Sequence, residues 1–222
     1  MWNRIWDTIF SDNEWGKYPP EDLIRFIARD FYAAPSRSDV RILEVGCGTG
    51  ANLWYLAREG FRVTGIDGSR VGVERAAARL KAESLEGTVL VGDIVSLPFE
   101  DETFDCAIDI ECLYANSRKD CARILSEIHR VLKPGGKLFS KTFMTGTTGE
   151  GSGPKLEGEE NTYLELREGP LRQGCGLIRL TSEREIPELY HPFRIDSVDT
   201  LLRSEKNQAH VTKEWIIQCT KA

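Results

Sequence analysis

Apolar positions along the chain follow two rhythms that keep trading places. Leu23, Phe26, Ile27 and Phe31 recur at helical spacing and predict an amphipathic helix. Pro19-Pro20-Glu21-Asp22 opens it, because proline is preset for a first helical turn and acids favour the positive end of the helix dipole. Ala33-Ala34-Pro35-Ser36 ends it. The run 41–45 then reads as a buried strand, broken by Gly46-Cys47-Gly48-Thr49-Gly50. Residues 62–67, 88–92, 106–109 and 137–143 read as four further strands. A helix is predicted through Leu53, Leu56 and Ala57, stopping at Gly60. Another starts from a Ser69 cap and runs through Val73, Ala76, Ala77 and Leu80. A third covers 118–132, with Ile124, Leu125, Ile128, Val131 and Leu132 on one face, and Lys133-Pro134-Gly135-Gly136 turns it into the fifth strand. Strands alternating with helices imply a parallel sheet covered on both faces.

The last quarter breaks this alternation. Residues 193–198 and 211–219 are strand-like, and only a short polar connection at 204–208 separates them. A parallel crossover needs about a dozen residues or more, so the two strands are expected to be antiparallel neighbours. Residues 144–176 are rich in Gly, Glu and Thr and weakly periodic, which predicts a lid, a binding loop or an insertion. The expected organisation is a single domain over 1–222. It has an N-terminal helical cap at 1–34 and the insertion before the last helix and strands.

Composition narrows the picture. A chain of 222 residues suits one α/β domain with a real core. The net charge is −6 and no basic stripe stands out, so a nucleic-acid partner is not expected. Six cysteines (47, 106, 112, 121, 175 and 219) and the scattered His129, His191 and His210 lack metal-ligand spacing, so no metal is expected. The cysteines read as small core hydrophobes kept reduced in a cytosol. The first residues, Met1-Trp-Asn-Arg-Ile-Trp-Asp, do not form a signal peptide, and no apolar run approaches ~18 residues. These features predict a cytoplasmic protein without membrane contact, as a monomer or homodimer.

The chemistry gathers at strand ends. Glycines at 46, 48 and 50 let backbone approach a ligand closely at a strand-to-helix turn. Gly46-x-Gly48-x-x-Ala51 also fits the dinucleotide fingerprint, so a nicotinamide cofactor competes for this turn. Glu44, two residues before the first glycine, opposes a pyrophosphate and suits a ligand bearing an ammonium group. Asp67 ends the second strand about 20 residues on, where a carboxylate can hold ribose hydroxyls. Asp93 follows the third strand and can accept from an adenine amino group.

The combined pattern over roughly 40–140 resembles class I S-adenosylmethionine-dependent methyltransferases. Ile42-Leu-Glu-Val-Gly-Cys-Gly-Thr-Gly is similar to their first motif, and Val63-Thr-Gly-Ile-Asp-Gly-Ser to the second-strand acid motif. Val91-Gly-Asp-Ile-Val-Ser-Leu-Pro-Phe is similar to the adenine motif, and Arg130-Val-Leu-Lys-Pro-Gly-Gly-Lys-Leu to the turn into the fifth strand. The resemblance implies a Rossmann-like, seven-stranded, mostly parallel sheet with an antiparallel last strand and helices on both faces. It implies S-adenosylmethionine contacts at Glu44, Gly46, Cys47, Gly48, Asn52, Asp67, Gly68, Ser69, Asp93, Ile94, Asp109 and Ile110. The short segments Trp15-Gly-Lys-Tyr-Pro-Pro, Asp67-Gly-Ser and Glu168-Gly-Pro-Leu are similar to small-molecule methyltransferases encoded with bacterial surface-polysaccharide genes. They imply a sugar or sugar-nucleotide acceptor, methylated on oxygen or nitrogen.

Glu111, just after the fourth strand, is the candidate general base by position; a solvated loop acid or a second cofactor contact is the competing role. His129 reads as structural. Trp2 and Trp6 are expected to pack a helix on the sheet, while Trp15 and Tyr18 could equally close the site. Lys155, Arg167, Arg172 and Arg179 could meet an anionic acceptor or simply solvate the insertion. An NAD(P)-dependent oxidoreductase and a non-catalytic S-adenosylmethionine-binding protein are the alternative functions.

Overall fold

A computed structural model describes residues 4–14, 16–172 and 176–222 of the chain. The expectations for Trp2, Trp15 and Cys175 lie outside the described residues. The elements run α1 (Ile5–Asp12), α2 (Glu21–Phe31), β1 (Arg41–Val45), α3 (Ala51–Arg58), β2 (Arg62–Asp67), α4 (Arg70–Ala82), β3 (Thr88–Val91) and β4 (Phe104–Ile110). They continue with α5 (Arg118–Val131), β5 (Leu132–Phe143), β6 (Thr162–Tyr163), β7 (Ile178–Arg179), α6 (Ile186–Leu189), β8 (Arg194–Glu205) and β9 (His210–Thr220). The main sheet has seven strands in the order β3-β2-β1-β4-β5-β9-β8. The first five are mutually parallel, and β9 runs antiparallel to both β5 and β8.

Strand alternation sorts side chains onto two cores. Ile42, Cys106, Ile108 and Phe139 point to one face, where Leu23, Phe26 and Ile27 of α2 and Leu53 and Leu56 of α3 cover them. Phe26 and Phe139 meet there with ring centroids 5.0 Å apart. Leu43, Val45, Ala107, Leu138 and Ile217 point to the other face, under Ile124, Leu125, Ile128 and Val131 of α5. These four α5 side chains have no exposed surface, so truncating any one to alanine should cost several kcal/mol, about 2–5 for the isoleucines and leucine. Ser117 caps α5, accepting from the amide of Asp120 at 3.1 Å, and Ser69 caps α4, accepting from Gly72 at 3.1 Å.

Three features differ from the sequence reading in extent. Helix α1 precedes the predicted first helix. Its Ile9 and Phe10 are buried, but eight residues are too few for the periodicity to declare itself. Strand β5 begins directly after α5: Leu132 pairs with Phe104 and Lys137 with Cys106, so residues 133–136 bulge out between them. The terminal hairpin is longer than predicted, with β8 and β9 paired from Arg194–Thr220 to Glu205–His210. Most of β8 is exposed on both faces, which removes the apolar run that marks a strand.

Residues 144–172 are knitted rather than open. Tyr163, Leu166, Ile178 and Leu180 form a third small core with Tyr114 and Phe143. Two backbone runs approach so closely that a side chain at Gly153 would stand 1.9 Å from the Glu165 carbonyl oxygen, and one at Gly169 would stand 1.9 Å from that of Thr148. Among the described residues, no helix is long and apolar enough to cross a membrane.

Candidate active site

The strand order reverses between β1 and β4: the chain proceeds from β1 outward to β3, then returns to place β4 on the other side. Open α/β sheets hold ligands outside the carboxyl ends of their strands at such a point. A cavity of about 220 Å³ lies there. The turn after β1, the ends of β2 and β4, the segment after β3 and helix α1 all contribute to its wall.

Gly46, with φ of 68°, turns the chain sharply out of β1. The Gly48 amide donates to Asp67 Oδ2 at 2.8 Å, and the Ser69 amide donates to Asp67 Oδ1 at 2.7 Å. Asp67 therefore locks the glycine turn to the end of β2. A carboxylate offers about four acceptor directions, so two remain for a ligand's hydroxyls. Burial raises the Asp67 carboxyl above its ordinary value, against the pull of these two amides.

Glu44 is more unusual. It is 2 % exposed, and its Oε1 accepts from Asn52 Nδ2 at 2.7 Å, while Oε2 has no hydrogen-bond partner. Burial first, then the charges of Asp67 and Asp109, push its carboxyl up to about 8; the Asn52 bond pulls the other way. A buried acid with one unpartnered oxygen is costly unless a ligand completes it. A cationic group at this point of the wall would do so.

Most residues expected to contact a cofactor converge here. Glu44, Gly46, Cys47, Gly48, Asn52, Asp67, Gly68, Asp93, Ile94 and Ile110 line the cavity, as does Glu111. Asp93 also accepts from the amide of Val95 at 3.2 Å, which shapes its own loop. Two further expected contacts, Ser69 and Asp109, do not line the cavity. Ser69 has no exposed surface: its amide holds Asp67, its hydroxyl caps α4 and donates to Asp7 Oδ1 at 2.6 Å. Asp109 is also fully buried and accepts from the amides of Cys112 and Leu113, both at 3.1 Å, and from the Ser140 hydroxyl at 2.6 Å. It ties β4, β5 and the turn at 112–115 together. Burial nevertheless raises its carboxyl to about 6.

The sequence reading missed part of the wall. Phe10 on α1, and Tyr114, Ala115 and Asn116 after β4, line the cavity together with Trp6 and Tyr18. Trp6 packs 5.6 Å from Phe10 of its own helix and 6.4 Å from Tyr114 of the turn after β4, between ring centroids, and faces the cavity as well. The i, i+4 pair Trp6–Phe10 was the available signal. The cations of the insertion stand elsewhere. Arg179 is buried and pairs with Glu185 at 2.6 Å, Arg167 pairs with Glu165 at 3.1 Å, and Lys155 lies over the Tyr163 ring. Neither these nor Arg172 line the cavity. His129 packs edge-on against Phe193, with centroids 5.1 Å apart.

Glu111 sits at the mouth of a buried charge cluster. Its backbone holds a left-handed conformation (φ 54°), fixed by a 2.8 Å bond from its amide to the Lys141 carbonyl. Lys141 Nζ lies 3.4 Å from Glu214 Oε1, 3.5 Å from Asp22 Oδ2 and 3.9 Å from Glu111 Oε1. Burial raises the Glu111 carboxyl, and hydrogen bonding with Glu214 raises it further.

The chain matches a family model described as a methyltransferase domain over residues 42–136. It is 29% identical to methyltransferase GfsG of Streptomyces halstedii, over 96% of this chain and 84% of that protein. It is 33% identical to a fatty-acid O-methyltransferase of Mycolicibacterium smegmatis, but this match spans 59% of the chain and about half (51%) of the relative. Among solved structures, a SAM-dependent methyltransferase from Methanosarcina mazei superposes with a TM-score of 0.72 at 25% identity, covering 83% of this chain and 93% of that one. The glycine turn locked to a carboxylate at the end of β2 and these likenesses converge: residues 42–136 match the methyltransferase-domain family, and the chain has the Rossmann-like fold of the class I S-adenosylmethionine-dependent methyltransferases.

Proposed function

We propose that this protein transfers the methyl group of S-adenosylmethionine to an oxygen or nitrogen of a small polar molecule. The observation that carries this reading is the unpartnered Glu44 oxygen on the wall that also presents Asp67 and Asp93. Glu44 would hold the ammonium group of the cofactor, Asp67 its ribose hydroxyls, and Asp93 and Ile94 its adenine. When bound, the cofactor supplies a methyl group on cationic sulfur: the C–S pair stays on sulfur, the new bond forms to the acceptor atom, and the acceptor's hydrogen leaves as a proton. The chain's own task is to orient the acceptor, exclude water and receive that proton. Trp6, Phe10, Tyr18 and Tyr114 supply the apolar part of the wall.

Among the described residues no Lys or Arg lines the cavity. This favours a neutral or cationic acceptor, such as a sugar hydroxyl or an amine, over one presenting a phosphate to this wall. The relatives do not narrow the choice, since their names span a fatty-acid O-methyltransferase and a norajmaline N-methyltransferase. The test is transfer of labelled methyl into a cell extract separated by size. Label in the small-molecule fraction is expected. Label only in protein or RNA overturns the acceptor class, and absence of label in every fraction overturns the activity.

A pH dependence follows from Glu44. With its carboxyl raised to about 8, the free protein holds it protonated at neutrality, and an ammonium ligand must expel that proton. Affinity for S-adenosylhomocysteine should rise about tenfold per pH unit from roughly pH 6 and level off near 8. Calorimetry should show the slope in the native protein and its disappearance in Glu44→Gln. The same shift means that Glu44's contribution to the stability of the unliganded fold is largest below 4.5 and is lost as the pH rises through about 8.

A further inference from the structure

The two edges of the main sheet differ. Strand β3 closes one edge with only four residues, whereas β8 closes the other and pairs with β9 without interruption from Ser197 to Glu205. Short edge strands, lysine, proline and bulges are the usual guards against pairing with another chain. Residues 197–205 contain neither lysine nor proline, and the bulge between Ile195 and Ser197 stands before them. No described strand pairs with the far side of β8, and every residue from Val198 to Glu205 is exposed, so no helix overhangs this edge. Val198 and Leu201 are 40 % exposed and Leu202 59 %.

The backbone direction of β8 follows from its neighbour. On β9, the carbonyls of Val211 and Lys213 accept from the amides of Thr148 and Met144 at 2.8 and 2.9 Å, on the side away from β8. Antiparallel strands alternate, so Thr212, Glu214 and Ile216 bond to β8 through Arg203, Leu201 and Asp199. The amides and carbonyls of Val198, Thr200, Leu202 and Ser204 therefore point off the sheet, and an incoming strand must bond to them. For a second, antiparallel β8 this pattern allows only registers that differ in steps of two residues. The register centred on Leu201 sets Asp199 opposite Arg203 of the second copy, and the two-fold axis repeats the pair. It also faces Leu201 with Leu201 and Leu202 with Thr200. Centring on Thr200 would face Asp199 with Leu201 and Arg203 with Ser197, and centring on Leu202 would face Asp199 with Glu205. Neither Asp199 nor Arg203 has an ion-pair partner within 4 Å among the described residues; Arg203 meets Glu111 only through a longer-range attraction.

We propose that β8 is a homodimer interface: two copies of this chain join edge to edge, antiparallel and centred on Leu201, and one sheet continues through both. The outward backbone groups supply the bonds, the exposed leucines and Val198 supply apolar contact, and the two Asp199–Arg203 pairs select the register.

The test is sedimentation of the full chain across a concentration series. The native chain should be a dimer at about 100 µM and dissociate on dilution, as expected for an interface at the small end of the range. Thr200→Pro deletes an outward amide without touching the bonds to β9, and should leave a monomer. Asp199→Arg and Arg203→Asp should each weaken self-association at least tenfold, because each sets like charges face to face twice. An equimolar mixture of these two variants should dimerise about as well as the native chain, since every facing pair is again of opposite charge. A native chain that is monomeric at every concentration leaves the edge to another occupant and overturns the proposal, as does a dimer untouched by Thr200→Pro. Single-charge variants that self-associate normally, or a mixture that stays monomeric, overturn it as well. If Thr200→Pro does not fold, the charge variants decide the matter, because they alter exposed side chains only.

Discussion

Gly46→Ala is expected to abolish detectable S-adenosylhomocysteine binding and to lower stability by about 2–5 kcal/mol. Two costs add at this position. The residue holds φ at 68°, and a left-handed conformation costs a side-chain-bearing residue roughly 1–2 kcal/mol. The new Cβ would also stand 2.2 Å from Cys112 Sγ and 2.5 Å from Cys112 Cβ. Cys112 has little freedom to retreat, because its amide is bound by Asp109, itself anchored to Ser140 on β5. The displacement must therefore fall on the glycine turn, which lines the cavity. Urea unfolding and calorimetric titration would measure the two effects. The double variant Gly46→Ala with Cys112→Gly, which removes both clashing atoms, should recover the overpacking share, about 1–3 kcal/mol, and leave the backbone share. If Gly46→Ala alone bound the ligand normally, the turn would not be part of the site.

Asp67→Ala should weaken S-adenosylhomocysteine binding tenfold to a hundredfold, or ~1.5–3 kcal/mol, as expected for losing hydrogen bonds to a charged acceptor. The loss is both direct and indirect. The carboxylate would no longer meet the ribose hydroxyls, and the Gly48 and Ser69 amides would lose their acceptor. The second effect should loosen the glycine turn even without ligand, visible as faster amide exchange at Gly48. A change in affinity below about threefold would mean that the cofactor's sugar sits elsewhere.

Where the chain obeys a single period, the fold was legible. Strands β1 and β2 and helices α2 and α5 are amphipathic or wholly apolar, and their limits fall within a residue or so of the expectation. Strand-end acids mark the wall for the same reason: a carboxylate after a buried strand has few roles besides capping or binding. The distinction between those two roles was not legible. Asp67 and Asp109 each end a strand, yet one lines the cavity and the other spends both oxygens on Cys112, Leu113 and Ser140. Only the relative positions of β4 and β5 separate them. The Lys141 cluster left a trace that went unread. Lys141 and Glu214 each stand inside a predicted strand, and charges at such positions are almost never buried unless paired. Finding each other requires the register that brings β5 beside β9, which is long-range information.

Residues 144–172 constrain how this chain can change over generations. Their composition suggests the kind of region that drifts freely and absorbs extra residues. Yet their two runs touch through bare backbone at Gly153 and Gly169, and their apolar side chains share a core with Tyr114, which lines the cavity. Substitutions there reach the Tyr114 wall of the cavity through packing. New acceptor preferences in descendants of this chain should therefore arise from coordinated changes across this segment more readily than from single replacements, because a lone side chain has nowhere to go.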